Sequence, residues 1–341
     1  MAESSLNRTP GDRHLLAHLG VHAIYSPEPE QTVAYLHDLL GMDVVAAQGR
    51  STYLRSFNTY EEWTIKVTGA DQAGLEFMSW RTSSPEALDQ SVAWLEKNGH
   101  AGAWAEAEQG IGPFYVFQDP DGHVFRIYWE TQHYQASVDK APVIPTNFQA
   151  YVGRGANVKH LDHVNLLARD VRECRQFWEE GFGLRTYEII LMPEDRGEAG
   201  AWMSSTLQGH ELIYTAEKTR GSGRLHHFAY AVESREEVLR AADIMADARI
   251  YIEAGPSKHT AIQGFYLYTR EPGGNRIEVA NGGYLRFAPD TEPYVWTPEE
   301  WSLKPGWGAP IPPEFHIYGT PVVEQLATDS EKVPSFGPGD L

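Results

Sequence analysis

One repeated structural unit is clearest between two segments, R-L-H-H-F-A-Y at residues 224–230 and E-P-G-G-N-R-I-E-V at residues 271–279. Each contains a run typical of a β-strand, and a Pro-Gly-Gly turn precedes the second run. Between them lie an amphipathic helical pattern, the segment G-P-S-K-H at 255–259 and the apolar run F-Y-L-Y at 265–268. The stretch therefore predicts one β-α-β-β-β unit.

The same unit occurs four times along the chain. Units begin near Leu19, Leu75, Leu161 and Leu225, and each strand is followed by a helical pattern and further short apolar runs. This order predicts an α+β protein of two domains with two units each. We expect an N-terminal domain over 1–147 and a C-terminal domain over 148–288. We expect the tail, 289–341, to cover a site and to be disordered at its end.

The two halves can be aligned by residue number. The correspondences, with the shift in brackets, are Val21 with His163 (142), Phe77 with His227 (150) and Arg126 with Glu278 (152). Loop insertions explain a spread of ten residues between these shifts. The second half thus carries His, His and Glu where the first half carries three residues that cannot bind a metal.

His163, His227 and Glu278 are candidate metal ligands. Two imidazoles and one carboxylate on three separate strands can occupy one face of a divalent iron and leave adjacent positions open. The alternative is that three polar residues occur at these positions by chance.

Composition limits the partners and the compartment. The chain has 341 residues, with 28 basic against 47 acidic side chains and a net charge of −19. Such a surface repels phosphate groups, so neither nucleic acid nor an anionic membrane is expected as a partner. Cys174 is the single cysteine, and no apolar stretch is long enough for a membrane span, so we expect a cytoplasmic protein.

Four motifs together resemble those of the extradiol catechol dioxygenases of the vicinal oxygen chelate superfamily, in particular the catechol 2,3-dioxygenase type. They are L-D-H-V-N at 161–165, G-R-L-H-H-F-A-Y at 223–230, G-P-S-K-H at 255–259 and G-N-R-I-E-V at 274–279. The resemblance extends to about Gly308. It implies two domains, each of two β-α-β-β-β modules curled into an open funnel, with iron(II) only in the C-terminal funnel.

The resemblance also implies residue roles. The metal ligands would be His163, His227 and Glu278, and His210 would be the acid–base histidine. The neighbouring residues would be His259 and Tyr268, with Asn165 and Trp202 beside the oxygen position. Periodicity alone leaves open whether Tyr266 or Tyr268 reaches the metal, and Trp202 could equally be a core residue. His226, next to His227 on a strand, is expected to be structural and to face away.

One departure from the family bears on the substrate. The homoprotocatechuate branch carries an arginine where this chain has Ala254, and Lys304 replaces another basic residue. Lysine is a poorer clamp for a carboxylate than arginine. We therefore expect good cleavage of catechol and of alkyl- or halo-catechols, and poor cleavage of catechols with a side-chain carboxylate.

The function predicted from the resemblance is extradiol cleavage of catechols by O2, giving 2-hydroxymuconic semialdehydes. The cofactor would be Fe(II), although Mn(II) fits the same ligands, and the family suggests a homotetramer. Two alternatives are a non-catalytic or other superfamily protein, such as a drug-binding or isomerase protein, and a 2-oxo-acid-dependent dioxygenase.

Overall fold

A computed structural model describes residues 14–288, 290–303 and 307–320. Its strands form two nine-stranded sheets, one from each half of the chain. The strands of the first sheet are β1 (Leu16–Leu19), β2 (His22–Ser26), β3 (Asp43–Gln48), β4 (Ser51–Arg55), β5 (Ile65–Gly69), β6 (Gly74–Thr82), β7 (Ala103–Ala105), β8 (Phe114–Gln118) and β9 (Val124–Tyr128). Their order is β3-β4-β5-β2-β6-β9-β8-β7, with β1 also paired to β6.

The second sheet repeats this arrangement. Its strands are β10 (His160–Ala168), β11 (Arg185–Leu191), β12 (Glu198–Ser204), β13 (Leu212–Ala216), β14 (Arg224–Ala231), β15 (Ile252–Lys258), β16 (Gly264–Arg270), β17 (Arg276–Gly282) and β18 (Tyr294–Trp296). Their order is β15-β16-β17-β14-β10-β13-β12-β11-β18. The predicted α+β arrangement of four β-α-β-β-β units is confirmed, with β1 and β18 as additional strands.

One helix crosses each unit. The helices are α1 (Pro29–Ala34), α2 (Pro85–Lys97), α3 (Val171–Phe182) and α4 (Arg235–Asp247). α1 continues as a π-helix over Tyr35–Leu39, and a short helix, α5 (Pro298–Leu303), follows β18. Local residues begin and end these helices. The Ser84 hydroxyl accepts a hydrogen bond from the Ala87 amide at 3.1 Å at the start of α2, and Gly183 ends α3 with a φ of 76°.

Strand register supports the alignment of the two halves. Ala23 is the direct partner of Phe77 across β2 and β6, and Asn165 is the direct partner of His227 across β10 and β14. Ala23 and Asn165 are 142 residues apart, and Phe77 and His227 are 150 residues apart. These are the shifts of the sequence alignment. The two sheets are therefore built to one plan.

The halves are joined by a shared core and by buried polar contacts. The indoles of Trp80 and Trp178, one from each half, have ring centroids 5.9 Å apart. His22 Nε2 lies 2.6 Å from the Tyr230 hydroxyl across the same interface. We keep the domain boundaries 1–147 and 148–288, with a tail from 289, as a proposal. The predicted disorder at the end of this tail falls outside the described residues.

Two local predictions are corrected. The strand that opens the first unit begins at His22 and not near Leu19, because β1 ends at Leu19 and the Gly20 amide donates a hydrogen bond to the Ser79 carbonyl at 2.8 Å. β7 was not predicted, because a strand of three residues, Ala-Trp-Ala, gives too short a pattern to recognise.

Candidate metal centre

Strand pairing brings the three candidate ligands onto one face of the second sheet, here called the inner face. His163 on β10 is the direct partner of Ala229 on β14, and Ala229 is the direct partner of Glu278 on β17. His227 lies two residues before Ala229 on the same strand. Direct partners and residues two apart point to the same side of a sheet, so all three side chains converge.

The donor atoms of these side chains meet in one buried place. The Nε2 atoms of His163 and His227 each lie 3.1 Å from Glu278 Oε2, and they lie 3.1 Å from each other. Glu278 Oε2 has no hydrogen-bond partner in the described structure. An unpartnered carboxylate oxygen beside two imidazole nitrogens fits a divalent metal ion, because these donors prefer such a cation.

A β-bulge orients His163. Leu161 and His163 pair with the successive residues Tyr230 and Ala229, so Asp162 is the extra residue. Bulges redirect side chains and are frequent beside active sites. The Asp162 carboxylate lies 2.7 Å from His163 Nδ1. That Nδ1–H therefore donates to the carboxylate, and the lone pair of Nε2 remains free for a metal. Asp162 was missed from the sequence because a bulge has no reliable pattern.

A second bulge orients His227 through His226. Leu166 pairs with Leu225 and Asn165 with His227, so His226 is the extra residue. The Phe315 carbonyl lies 3.0 Å from His226 Nε2, which must then carry the proton. His226 Nδ1 lies 2.6 Å from His227 Nδ1 and, once Nε2 is the donor, can only accept.

The tautomer of His227 follows from this chain of contacts. Its Nδ1–H donates to His226, and its Nε2 lone pair faces the Glu278 carboxylate. His226 was predicted to be structural and to point to the opposite face of the sheet from His227. The second inference assumed that side chains alternate along the strand, and the bulge at His226 interrupts this alternation. Its ring contacts His227, with centroids 4.9 Å apart.

The electrostatics of the centre favour a cation. Burial opposes ionisation of Glu278, but the neighbouring His163 holds the pKa of this carboxyl well below its usual range. Burial also opposes protonation of His163, but the charge of Glu278 raises the pKa of this imidazole to about 9. Burial lowers the pKa of His227 to about 4. The three side chains together thus attract one positive charge, which a metal ion can supply in place of a proton.

His210 lies beside the ligands and is not one of the three. Its ring centroid is 4.3 Å from that of His163, and its Nε2 is 3.8 Å from the Asp162 carboxylate. Its Nδ1 is buried without a hydrogen-bond partner among the described residues. Burial lowers the pKa of His210 to about 3, and the neighbouring His163 adds to this effect. The imidazole is therefore neutral and has a free nitrogen.

His259 and Tyr268 form a pair on the other side of the centre. The Tyr268 hydroxyl lies 2.9 Å from His259 Nε2, and the tyrosine ring lies 5.1 Å from the ring of His227. His259 Nε2 is also 3.7 Å from Glu278 Oε1. Tyr266 instead stacks on the His259 ring, with centroids 3.9 Å apart. Tyr268 is thus the tyrosine nearer to the ligands, a choice that periodicity left open.

The remaining predicted residues differ in position. Asn165 is the direct partner of His227, and its side-chain oxygen accepts a hydrogen bond from Thr215 at 3.0 Å. Trp202 on β12 is separated from Asn165 by Ile213 in one row of direct partners. A position of Trp202 beside the oxygen site therefore stays a prediction. Lys304 lies outside the described residues.

An apolar wall closes one side of the centre. Ala254, Tyr266, Tyr268 and Phe315 form one buried cluster, and Ile311 packs against it. The Phe315 ring is 4.7 Å from the Tyr268 ring. The C-terminal segment thus contributes part of the surroundings of the centre.

Comparison with known proteins agrees with this geometry. A model of the Glyoxalase/Bleomycin resistance protein/Dioxygenase superfamily matches residues 160–279. The metapyrocatechase of Geobacillus stearothermophilus is 34% identical over 314 residues, which cover 90% of this chain and 93% of that protein. The chain belongs to the extradiol dioxygenase family.

Two further relatives place the chain within the extradiol dioxygenases. The manganese-dependent 2,3-dihydroxybiphenyl 1,2-dioxygenase of Geobacillus genomosp. 3 is 33% identical, with 84% of this chain and 91% of that protein covered. The structure of homoprotocatechuate 2,3-dioxygenase from Brevibacterium fuscum, complexed with 3,4-dihydroxyphenylacetate, superimposes with a TM-score of 0.80 and 25% identity. The match covers 91% of this chain and 94% of that one.

Several expectations from the sequence are thereby confirmed. The chain is an extradiol dioxygenase of the catechol 2,3-dioxygenase type, with the fold of that superfamily. It acts on a small catechol-type substrate and O2. A divalent cofactor of the expected kind, non-haem Fe(II) or Mn(II), is confirmed, and the donor atoms of His163, His227 and Glu278 lie close enough together to hold one such ion. Neither alternative function, the non-catalytic superfamily protein or the 2-oxo-acid-dependent dioxygenase, is supported by these relatives. No helix in the described part of the chain is long and apolar enough to cross a membrane.

Proposed function

We propose that this extradiol dioxygenase cleaves catechol and alkyl- or halo-catechols beside the diol, giving 2-hydroxymuconic semialdehydes. We propose Fe(II) as the metal and His163, His227 and Glu278 as its ligands. The observation that carries the proposal is the convergence of their donor atoms around one unpartnered carboxylate oxygen, Glu278 Oε2. When bound, the iron would supply the Lewis acidity and open positions that bring a diol and dioxygen together.

His210 is the proposed acid–base group. Ring opening requires a residue that accepts a proton and later returns it, and histidine suits both steps. The position of His210 beside His163 and the unpartnered Nδ1 of its ring support this role, because this nitrogen is free to exchange a proton with a bound substrate. The adjacent Asp162 carboxylate, 3.8 Å from His210 Nε2, would stabilise the imidazolium that forms.

His259 and Tyr268 are proposed to orient the substrate. Burial raises the pKa of the Tyr268 phenol well above its usual value, and the Glu278 charge adds to this effect, so the hydroxyl stays protonated. It can therefore donate a hydrogen bond to a substrate oxygen. His259, hydrogen-bonded to the same hydroxyl, would hold it in place. Asn165, Trp202 and Lys304 are proposed as further pocket residues.

The apolar wall supports the proposed choice of ring substituent. Ala254, Phe315 and Ile311 present no group that can pair with a substrate carboxylate. An unpaired buried charge costs several kcal/mol, whereas a methyl or halogen gains from contact with such a wall.

We also propose a homotetramer in the cytoplasm. The family resemblance supports the tetramer, and the lone buried Cys174 is compatible with that compartment.

The test is aerobic turnover of a small panel of catechols by protein reconstituted with Fe(II) or Mn(II). A yellow ring-cleavage product from catechol and 4-methylcatechol, with higher kcat/KM for the iron form, is expected. Mass spectrometry should show both atoms of O2 in the product. Cleavage between the two hydroxylated carbons, or no cleavage by either metal form, contradicts the proposal.

A further inference from the structure

Glu188 is a buried carboxylate on the inner face that the proposed chemistry does not use. It lies on β11 as the direct partner of Trp202, and only 4% of the residue is exposed. No basic side chain forms an ion pair with it within the described part of the chain. It accepts hydrogen bonds from three donors instead, and each donor belongs to a different segment around the metal centre.

The first donor belongs to the loop that carries His259. The Ile262 amide donates to Glu188 Oε1 at 2.9 Å. Ile262 and Gln263 have φ values of 62° and 66°, in the left-handed region that a β-branched residue rarely enters. Such a conformation persists only where the surrounding structure holds it. The Glu188 carboxylate supplies that restraint three residues after His259.

The second donor, Tyr284, connects Glu188 with the segment that carries His210. The Tyr284 hydroxyl donates to Glu188 Oε1. The Tyr284 carbonyl accepts a hydrogen bond from the Gly209 amide at 3.1 Å. A side chain on Gly209 would come within 2.8 Å of the Tyr284 ring, so backbone and ring are packed closely together. The residue before His210 is thus held by the same tyrosine that binds Glu188.

The third donor comes from the C-terminal strand. The Trp296 indole N–H on β18 donates to Glu188 Oε2 at 2.6 Å. β18 pairs with β11 in parallel, and Tyr294 is the direct partner of Glu188. The carboxylate therefore binds β18 through a side chain as well as through the sheet.

We propose that Glu188 is a positioning residue that holds the His210 segment and the His259 loop in place relative to each other and to β18. Removing any of the three donors should then disturb the positions of His210 and His259, although none of the donors is a metal ligand. The inference rests on the proposed roles of His210 and His259. It adds that their alignment depends on one buried carboxylate about which the family motifs say nothing.

The experiment compares Glu188→Gln, Tyr284→Phe and Trp296→Phe with wild type. Glutamine is close in size to glutamate, but its oxygen is a neutral and weaker acceptor for Ile262 and Tyr284, and its NH2 group cannot accept a hydrogen bond from Trp296. Each phenylalanine variant removes a single donor and should fold even if Glu188→Gln does not. Glu198→Gln is the matched control, because Glu198 is also a buried carboxylate in this sheet but pairs with Arg172 and Arg175 on α3.

Two readouts separate positioning from general destabilisation. In metal-free protein, hydrogen exchange of the Ile262 amide should be faster in Glu188→Gln and unchanged in Glu198→Gln. In the iron form, kcat should fall by up to about 10²-fold in Glu188→Gln, the scale of a misplaced catalytic group. Its iron content should be retained, and the two phenylalanine variants should show smaller falls.

Unchanged exchange of the Ile262 amide in Glu188→Gln and Tyr284→Phe would overturn the proposal. So would equal losses of kcat in Glu188→Gln and Glu198→Gln. Failure of the proposed function is distinguishable, because then wild type itself would not cleave catechol while the exchange experiment could still be read.

Discussion

Arg126 occupies in the first sheet the position that Glu278 occupies in the second. Arg126 on β9 is the direct partner of Ser79 on β6, as Glu278 is of Ala229. Arg126 also lines a small cavity with Val21 and Phe77, the other two residues aligned with metal ligands. Both sheets therefore carry this arrangement of three positions, and in the N-terminal one, the first funnel, a guanidinium group stands where the C-terminal one has a carboxylate.

The first prediction is that metal binding saturates at one ion per chain. The Arg126 guanidinium lies 3.5 Å from the centre of the Phe77 ring and pairs with Glu108 at 2.6 Å. A fixed cation in this cavity repels a second cation, and neither Val21 nor Phe77 can act as a ligand. Elemental analysis of protein titrated with Fe(II) under anaerobic conditions measures the stoichiometry. A ratio of two would contradict the assignment of Arg126.

The second prediction concerns the ligands and Asp162. Glu278→Ala should lose bound metal and activity with the fold kept, as judged by circular dichroism. Asp162→Asn should weaken metal affinity about 10–100-fold, because this carboxylate fixes the tautomer of His163. Glu108→Gln, which changes a carboxylate in the first funnel, is the control and should leave metal content unchanged. Full occupancy in Glu278→Ala would remove this residue from the ligand set.

The third prediction separates His210 from the ligands. His210→Phe should lower kcat by about 10²–10⁴-fold while iron stays bound, because the residue acts on protons and not on the metal. Single-turnover assays at matched iron content make the measurement. His100→Phe is the control, since His100 packs on Trp94 far along the chain from these motifs. Turnover of His210→Phe at the wild-type rate would exclude His210 from the mechanism.

Much of the fold could be predicted because short local sequence signals mark the helices and strands of each unit. Capping residues such as Ser84 and glycines such as Gly183 mark the helix ends, and the apolar runs mark the strands. The alignment of the two halves then predicted which residues of each sheet correspond. The break at Gly20 and the strand Ala103–Ala105 could not be predicted, because contacts distant in sequence decide them.

The environment of the metal centre was only partly predictable. The motifs identified the candidate ligands, and the structure brings His210, His259 and Tyr268 close to them. The bulges at Asp162 and His226 were missed, because an extra residue in a strand is set by pairing with β14 and β10 and not by composition. The link from the Phe315 carbonyl to His226 joins residues 89 positions apart and leaves no local signal.

The fourth prediction is a pH dependence of stability that arises from His22 at the interface between the halves. Burial lowers the pKa of His22 to about 3, against an ordinary value of 6.5. The folded protein therefore favours the neutral ring, and this contribution is present above pH 6.5 and is lost as the pH falls towards 3. Between pH 7 and 5 the expected loss is about 2 kcal/mol.

Urea unfolding of metal-free protein at the two pH values measures this loss. His22→Asn should be less stable than wild type at pH 7, because the hydrogen bond to Tyr230 is removed. It should also lose about 2 kcal/mol less than wild type on acidification, since it has no group to titrate. An identical pH dependence of wild type and His22→Asn would show that His22 is not the source.

The last prediction concerns the ring substituent. Wild type should cleave 4-methylcatechol with a higher kcat/KM than homoprotocatechuate, because Ala254, Phe315 and Ile311 offer no charge to the acid and an unpaired buried carboxylate costs several kcal/mol. The net charge of −19 further disfavours the approach of an anion.

Ala254→Arg should raise the relative kcat/KM for homoprotocatechuate, since an arginine fork can bind its carboxylate. Tyr251→Arg, at a residue 61% exposed on the surface, adds the same charge without reaching the wall and should leave the preference unchanged. A clear preference of wild type for the acid would refute the proposed substrate class and would point to Lys304 as the partner of the carboxylate.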